Sequence, residues 1–133
     1  MKPRYMLDTN ICIYMMGRAV PTFRERMAGL HVGEVVLSAV TLAELEYGIE
    51  ASGQAASRNR KVLQGLLAEI PAVPYGNEAA RACGPVRLAR PKRTADALDK
   101  LIASHALALG VTLVTNNVRD FKSYSGLRVE NWT

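Results

Sequence analysis

Short apolar runs alternating with amphipathic helical stretches constrain this chain more than any other feature. Tyr5-Met6-Leu7, Val35-Val36-Leu37-Ser38 and Val111 to Thr115 read as buried strands. Ala72-Val73 and Leu127 to Val129 read as two further short strands. Helices are expected over Ile11 to Met16, Val20 to Leu30, Thr41 to Ala51 and Arg58 to Ile70. Two more are expected over Asn77 to Ala89, with a break at Gly84-Pro85, and over Asp96 to Leu109, closed by Gly110. In the Arg58 helix the apolar face is Val62, Leu66, Leu67 and Ile70, and Pro71 ends it. Strands fed by helices in this order predict an α/β fold. Its form is a three-layer α/β/α sandwich around a central, mainly parallel sheet.

Size and composition fit that architecture. The chain has 133 residues, of which 49% are hydrophobic, enough for one domain over 1–133 with a core of its own. Its two cysteines, Cys12 and Cys83, lie far apart and outside any CxxC spacing. That argues against a disulfide framework and against a zinc site, and it favours a reduced, cytoplasmic chain. Asp8 interrupts the opening before an apolar leader can form, and no apolar run is long enough to span a bilayer. No membrane association is expected. The formal net charge is +5, a surface suited to a polyanion or an acidic partner.

Parallel sheets collect functional groups outside the carboxyl ends of their strands; Asp8, Glu44 and Asp120 map there, and Asp99 joins them if its helix approaches from the same side. Asp8 directly follows the first strand, where it also suits a turn, with Asn10 capping the next helix. Glu44 closes Thr41-Leu42-Ala43-Glu44, which also reads as a capping box. Asp99 lies in the first turn of the Asp96 helix, where an acid complements the helix dipole and Asp96 suits the cap. Asp120 follows the strand ending at Thr115 and also suits a turn. Each acid has an ordinary structural reading, but their common edge does not. Two carboxylates about 4 Å apart repel by roughly 4 kcal/mol at an effective dielectric near 20. A gathered set therefore needs a proton or a divalent cation, and all-oxygen donors suit Mg2+ or Mn2+. Such an ion beneath a basic exterior suits hydrolysis of a phosphodiester backbone.

The same residues carry a family resemblance. Met6-Leu7-Asp8-Thr9-Asn10-Ile11-Cys12-Ile13 resembles the opening of PIN-domain toxins of the VapC type. Ser38 to Gly48 resembles their second motif, with Glu44 as its acid. Asp99 to Ala106 resembles the third, and Leu113 to Phe121 the fourth. Gly126 to Trp132, ending Glu-Asn-Trp, is similar to one branch of the family. The blocks run in order along essentially the whole chain.

The resemblance implies a PIN-like fold and a Mg2+- or Mn2+-dependent endoribonuclease. It implies the toxin of a toxin–antitoxin pair, dimeric and inhibited by a VapB-like antitoxin. For this branch it implies cleavage of initiator tRNA in the anticodon loop. By position, Asp8 and Asp99 would be metal ligands, and Glu44 would complete the core through a water or a second metal. Thr115 would orient a carboxylate or water. Many PIN domains carry Asp where Asn117 stands, and Asp120 would substitute for that acid. Pro91 to Ala97 departs from the Gly-Arg-Pro-rich loop of the family, though Lys92 and Arg93 remain available to phosphate.

Other readings use the same residues. A haloacid-type phosphatase needs a second Asp where Asn10 stands, and a phospho-receiver needs an acid pair that Asp8 alone does not supply. A metal-free PIN-like RNA-binding module would not need Asp8, Glu44 and Asp99 together. His105 lies beside Leu101, Ile102 and Leu109 and reads as a hydrogen-bonded core histidine, since neither a Ser-His-Asp order nor HExxH is present. Tyr5, Tyr14 and Tyr47 read as packing groups, with base stacking open to any that is exposed.

Overall fold

β1 (Tyr5–Leu7) lies at the centre of a five-stranded sheet ordered β3-β2-β1-β4-β5. The other strands are β2 (Val35–Ser38), β3 (Ala72–Val73), β4 (Thr112–Val114) and β5 (Val129–Glu130). Every pairing is parallel. The computed structural model describes residues 2–91 and 96–133. Chain order reverses at β1, with β2 on one side and β4 on the other. That switch point opens a crevice at the carboxyl ends of β1 and β4, the place where open parallel sheets bind ligands.

Strand alternation sorts the core into two layers. Leu7, Val35, Leu37 and Val114 face one side, with Ile11, Phe23, Leu45, Ile49, Leu63 and Trp132. This layer is covered by α1 (Thr9–Met15), α2 (Pro21–Ala28), α3 (Ala39–Glu50) and α4 (Ala56–Glu69). Met6, Val36 and Leu113 face the other side, with Val86, Ile102, Ala103, Ala106 and Phe121. That layer is covered by α5 (Asn77–Ala89), α6 (Ala97–Leu109) and α7 (Val118–Phe121). Burying each large aliphatic side chain contributes about 1.5–3 kcal/mol, so both layers hold the sheet.

Several local expectations are corrected. α3 begins three residues earlier than its Thr41 box suggests. Ser38 is the cap, its Oγ accepting from Val40 N at 3.0 Å, because β2 turns directly into the helix. The cap of α1 is Asp8, while Asn10 is an exposed residue of its first turn. α5 runs unbroken through Pro85. Pro85 is exposed, so water can serve the carbonyl its ring leaves unbonded. The innermost residue of α4 is Leu63, whereas Val62, Leu66 and Leu67 are half-buried around it. The last strand falls at Val129–Glu130, and Val118–Phe121, read as a turn, forms a short helix. Gly110 caps α6 at φ +68°, a left-handed conformation that favours glycine.

The C-terminal strand is tied to α2. Glu130 Oε1 accepts from Arg26 at 2.7 Å and from the Trp132 indole N–H at 3.0 Å. Trp132 is buried between Tyr5 and Phe23, and the Arg26 guanidinium lies over its ring.

Candidate active site

The register of the central strands sets out the site. Leu7 pairs with Leu37 on one side and with Val114 on the other. The next residue of each strand therefore falls in one row: Ser38, Asp8 and Thr115. All three are buried, Asp8 at 1% exposure and the others at 0%. An apolar sheet thus ends in a buried polar row at its carboxyl edge.

Asp8 is held from two directions. Its Oδ1 accepts from Ile11 N at 2.8 Å as the N-cap of α1. Its Oδ2 accepts from the Thr115 hydroxyl at 2.5 Å, a bond that bridges the switch point. Burial raises the Asp8 pKa above the ordinary carboxylate range, and the bonds from Thr115 and Ile11 oppose that shift. Its neighbour Cys12 is fully buried, and desolvation with the Asp8 charge pushes the thiol pKa well up, which makes it inert.

Thr115 starts a second set of contacts. Its Oγ1 accepts from Asn117 N at 2.9 Å, and the Asn117 side-chain amide donates to Asp120 Oδ2 at 2.6 Å. Asp8, Thr115, Asn117 and Asp120 therefore form one continuous chain of hydrogen bonds. Asn117 holds the acid three residues on.

Glu44 is carried by α3, which packs against α1. The Thr9 hydroxyl donates to Thr41 Oγ1 at 3.1 Å, joining the residue after Asp8 to α3. Glu44 lies three residues beyond Thr41 on the same helix face. It is half-buried and lines a groove with Ile13 of α1 and Met16 just beyond that helix. Sequence reasoning missed the threonine pair. Its only signal was Thr9 beside Asp8 and Thr41 one turn before Glu44.

Asp99 is half-buried in the first turn of α6. That helix feeds β4 through Gly110, so it runs against the strands and its start reaches the carboxyl edge. Asp96 occupies the cap position but makes no side-chain cap bond. It pairs instead with Lys100 Nζ at 3.1 Å, and Lys100 also donates to the Arg90 carbonyl at 2.7 Å. Both members of the pair are buried, at 7% and 5% exposure. The i, i+4 spacing was the available signal for this pair, and the sequence analysis did not use it. Lys92 and Arg93 lie outside the described residues.

His105 is a core histidine, 2% exposed, as expected. Its Nδ1 lies 2.7 Å from Ser38 Oγ. Burial depresses its pKa, against a smaller opposing pull from the Pro74 backbone. Tyr5 packs on Trp132 as expected. Tyr47 does not pack: it is 72% exposed, which leaves it the base-stacking alternative.

Among the described residues, no three acid, imidazole or thiol groups close around a common point as a bound ion requires. The tight convergence expected of Asp8, Glu44 and Asp99 is thus not present in this arrangement. The donors still fit a hard cation. Asp8 is a desolvated carboxylate whose hydrogen-bond partners are a hydroxyl and a backbone amide, and each of its oxygens keeps a second lone pair. Asp120, Glu44 and Asp99 add only oxygen donors, which suit Mg2+ or Mn2+ over softer metals.

The family model described as PIN domain matches residues 5–127. The chain is 42% identical over 132 residues to the tRNA(fMet)-specific endonuclease VapC of Shigella flexneri, covering 98% of both chains. It is 34% identical to Ribonuclease VapC2 of Rickettsia felis, covering 96% of this chain and 97% of that one. The fold superposes on DNA-bound VapBC from Salmonella typhimurium with a TM-score of 0.88 at 36% identity, covering 98% of this chain and 99% of that one. The chain belongs to the PIN-domain family, within its VapC branch.

Proposed function

We propose that this chain is a metal-dependent endoribonuclease, the toxin of a toxin–antitoxin pair. The observation that carries the reading is Asp8, buried at the switch point and bonded to Thr115 across it. A carboxylate in that position serves little structural purpose, since a neutral side chain would cap α1 without the desolvation cost. Asp8 and Asp99 would hold a divalent ion. Glu44 would complete the site through a water or a second ion, with Asp120 assisting from its bond to Asn117. Such an ion would offset the repulsion among these acids and stabilise charge on phosphodiester oxygens. Thr115 fixes the Asp8 carboxylate, and the basic exterior draws in the polyanion.

The named relatives support RNA as substrate, and the VapC of Shigella flexneri supports initiator tRNA in particular. Solved relatives in complex with VapB support an antitoxin partner of that kind, and a dimer remains part of the proposal. No helix among the described residues is long and apolar enough to cross a membrane, in keeping with a cytoplasmic enzyme.

The test is to map new RNA ends after brief expression of the chain, beside Asp8→Asn. The same purified proteins are then incubated with initiator tRNA, with Mg2+ and with a chelator. Cleavage confined to the unaltered protein with Mg2+ is expected. Undiminished cleavage by Asp8→Asn, or in chelator, would overturn the proposal. Cleavage of other RNAs but not of initiator tRNA would remove the substrate assignment alone.

A further inference from the structure

We propose that His105 is a positioning residue for the metal site, pinning the helix that carries Asp99 to the strand end that launches the helix carrying Glu44. The inference rests on the reading of those acids given above.

The ring is held through Nδ1, which lies 2.7 Å from Ser38 Oγ. A neutral imidazole accepts through one of its nitrogens, so Nδ1 can take the Ser38 hydroxyl proton and leave the oxygen lone pairs for a further donor. Ser38 Oγ still accepts from Val40 N as the cap of α3. One hydroxyl therefore caps α3 and fastens α6 at the same time. Both residues are buried, so neither bond can be exchanged for water.

The position of this pair gives it consequence. Ser38 is level with Asp8 in the polar row, on the neighbouring strand. Strands are spaced about 4.8 Å apart, so the pin stands one strand away from the buried acid. Asp99 lies six residues before His105, which places it about 9 Å further along α6. Glu44 lies six residues after Ser38 on α3. The Ser38–His105 bond thus joins the two acid-bearing helices beside Asp8. An apolar residue at 105 could fill the space but would leave α6 free to slide and turn. Ile102, Ala103 and Ala106 bury α6 in the core, so apolar packing attaches the helix and the hydrogen bond sets its register against β2.

The test measures Mn2+ binding to the apo protein, read as loss of the free-ion paramagnetic resonance signal well below the unfolding temperature. Cleavage is assayed in parallel at limiting and saturating Mn2+. His105→Leu, which leaves the α3 cap intact, is expected to weaken Mn2+ binding on the order of tenfold, with cleavage recovering at high Mn2+. His105→Gln carries both a donor and an acceptor and is expected to restore binding to within about twofold of the unaltered protein. His105→Met removes the same bond with a more adaptable side chain and carries the test if His105→Leu does not fold. Ser38→Ala breaks the bond from the other side, also removes the α3 cap, and is read beside them. Asp99→Asn is the control for the site itself. If Asp99→Asn loses binding while His105→Leu and Ser38→Ala keep it, the pin is overturned. Equal loss in His105→Gln and His105→Leu would make His105 a packing group and overturn it too. If Asp99→Asn binds Mn2+ normally, the site assignment fails, and that failure is distinct from failure of the pin.

Discussion

Asp8 and Glu44 are positioned by different means. Asp8 is fixed by the sheet itself: it follows the central strand, caps the next helix and is bonded across the switch point by Thr115, 107 residues away. Glu44 depends on packing between α1 and α3, joined by the Thr9–Thr41 bond, and it stays half-buried. One half of the site is built before anything binds. The other half rests on helices that small shifts can move. Preorganised groups lose little on binding a ligand, whereas groups on movable elements bear the cost of being ordered.

The contrast is tested most sharply at its rigid end. Asp8→Asn is expected to lower RNA cleavage on the order of a thousandfold, measured with labelled substrate at saturating Mg2+. Its thermal midpoint should hold or rise, because Asn caps a helix as well as Asp and relieves a desolvated charge. A large drop in stability would instead make Asp8 a structural acid. Thr115→Val should reduce cleavage by roughly a hundredfold and destabilise the fold by about 2 kcal/mol in denaturant titration. It removes a donor to Asp8 and an acceptor for Asn117 N together, so a loss confined to stability would break the link to Asp8.

Glu44→Gln should cost only about tenfold in cleavage, and raised Mg2+ should recover part of it. Loss as deep as that of Asp8→Asn would erase the distinction between the two halves. The smallest effect concerns pH. His105 has a depressed pKa, so the unfolded chain takes up a proton on it at a pH where the folded chain does not. Stability is therefore full above the usual histidine range and falls as pH drops through that range toward the depressed value. His105→Gln should flatten this slope in denaturant titrations run on either side of the range, and an unchanged slope would assign it to other groups.

Legibility in the sequence followed the same divide. The three strands β1, β2 and β3 were readable at their ends, because apolar runs in a sheet covered on both faces have no competing reading. Asp8 followed directly as the residue past a strand, whereas Thr115 was read as the last residue of its own strand and drew its role from the PIN resemblance. What local pattern obscured was decided by tertiary contacts. Thr41-x-x-Glu44 has the form of a capping box, yet Ser38 caps the helix and Thr41 turns inward to Thr9. Asp96 has the form of a cap, yet it pairs with Lys100. Pro85 has the form of a break, yet on an exposed face the helix continues. The role of Ser38 could not be read at all, because its partner His105 lies 67 residues away. The PIN resemblance singled out the acids and Thr115, but not the Thr9–Thr41 and Ser38–His105 bonds between the elements that carry them.

Trp132 is the only tryptophan in the chain. It is enclosed by Tyr5, Phe23 and the Arg26 guanidinium, where α2 meets the last strand. The protein therefore carries a built-in optical reporter. Ultraviolet excitation at the red edge gives emission from one indole alone, and its wavelength and quenching follow whether α2 remains seated on the sheet, with no dye or label attached.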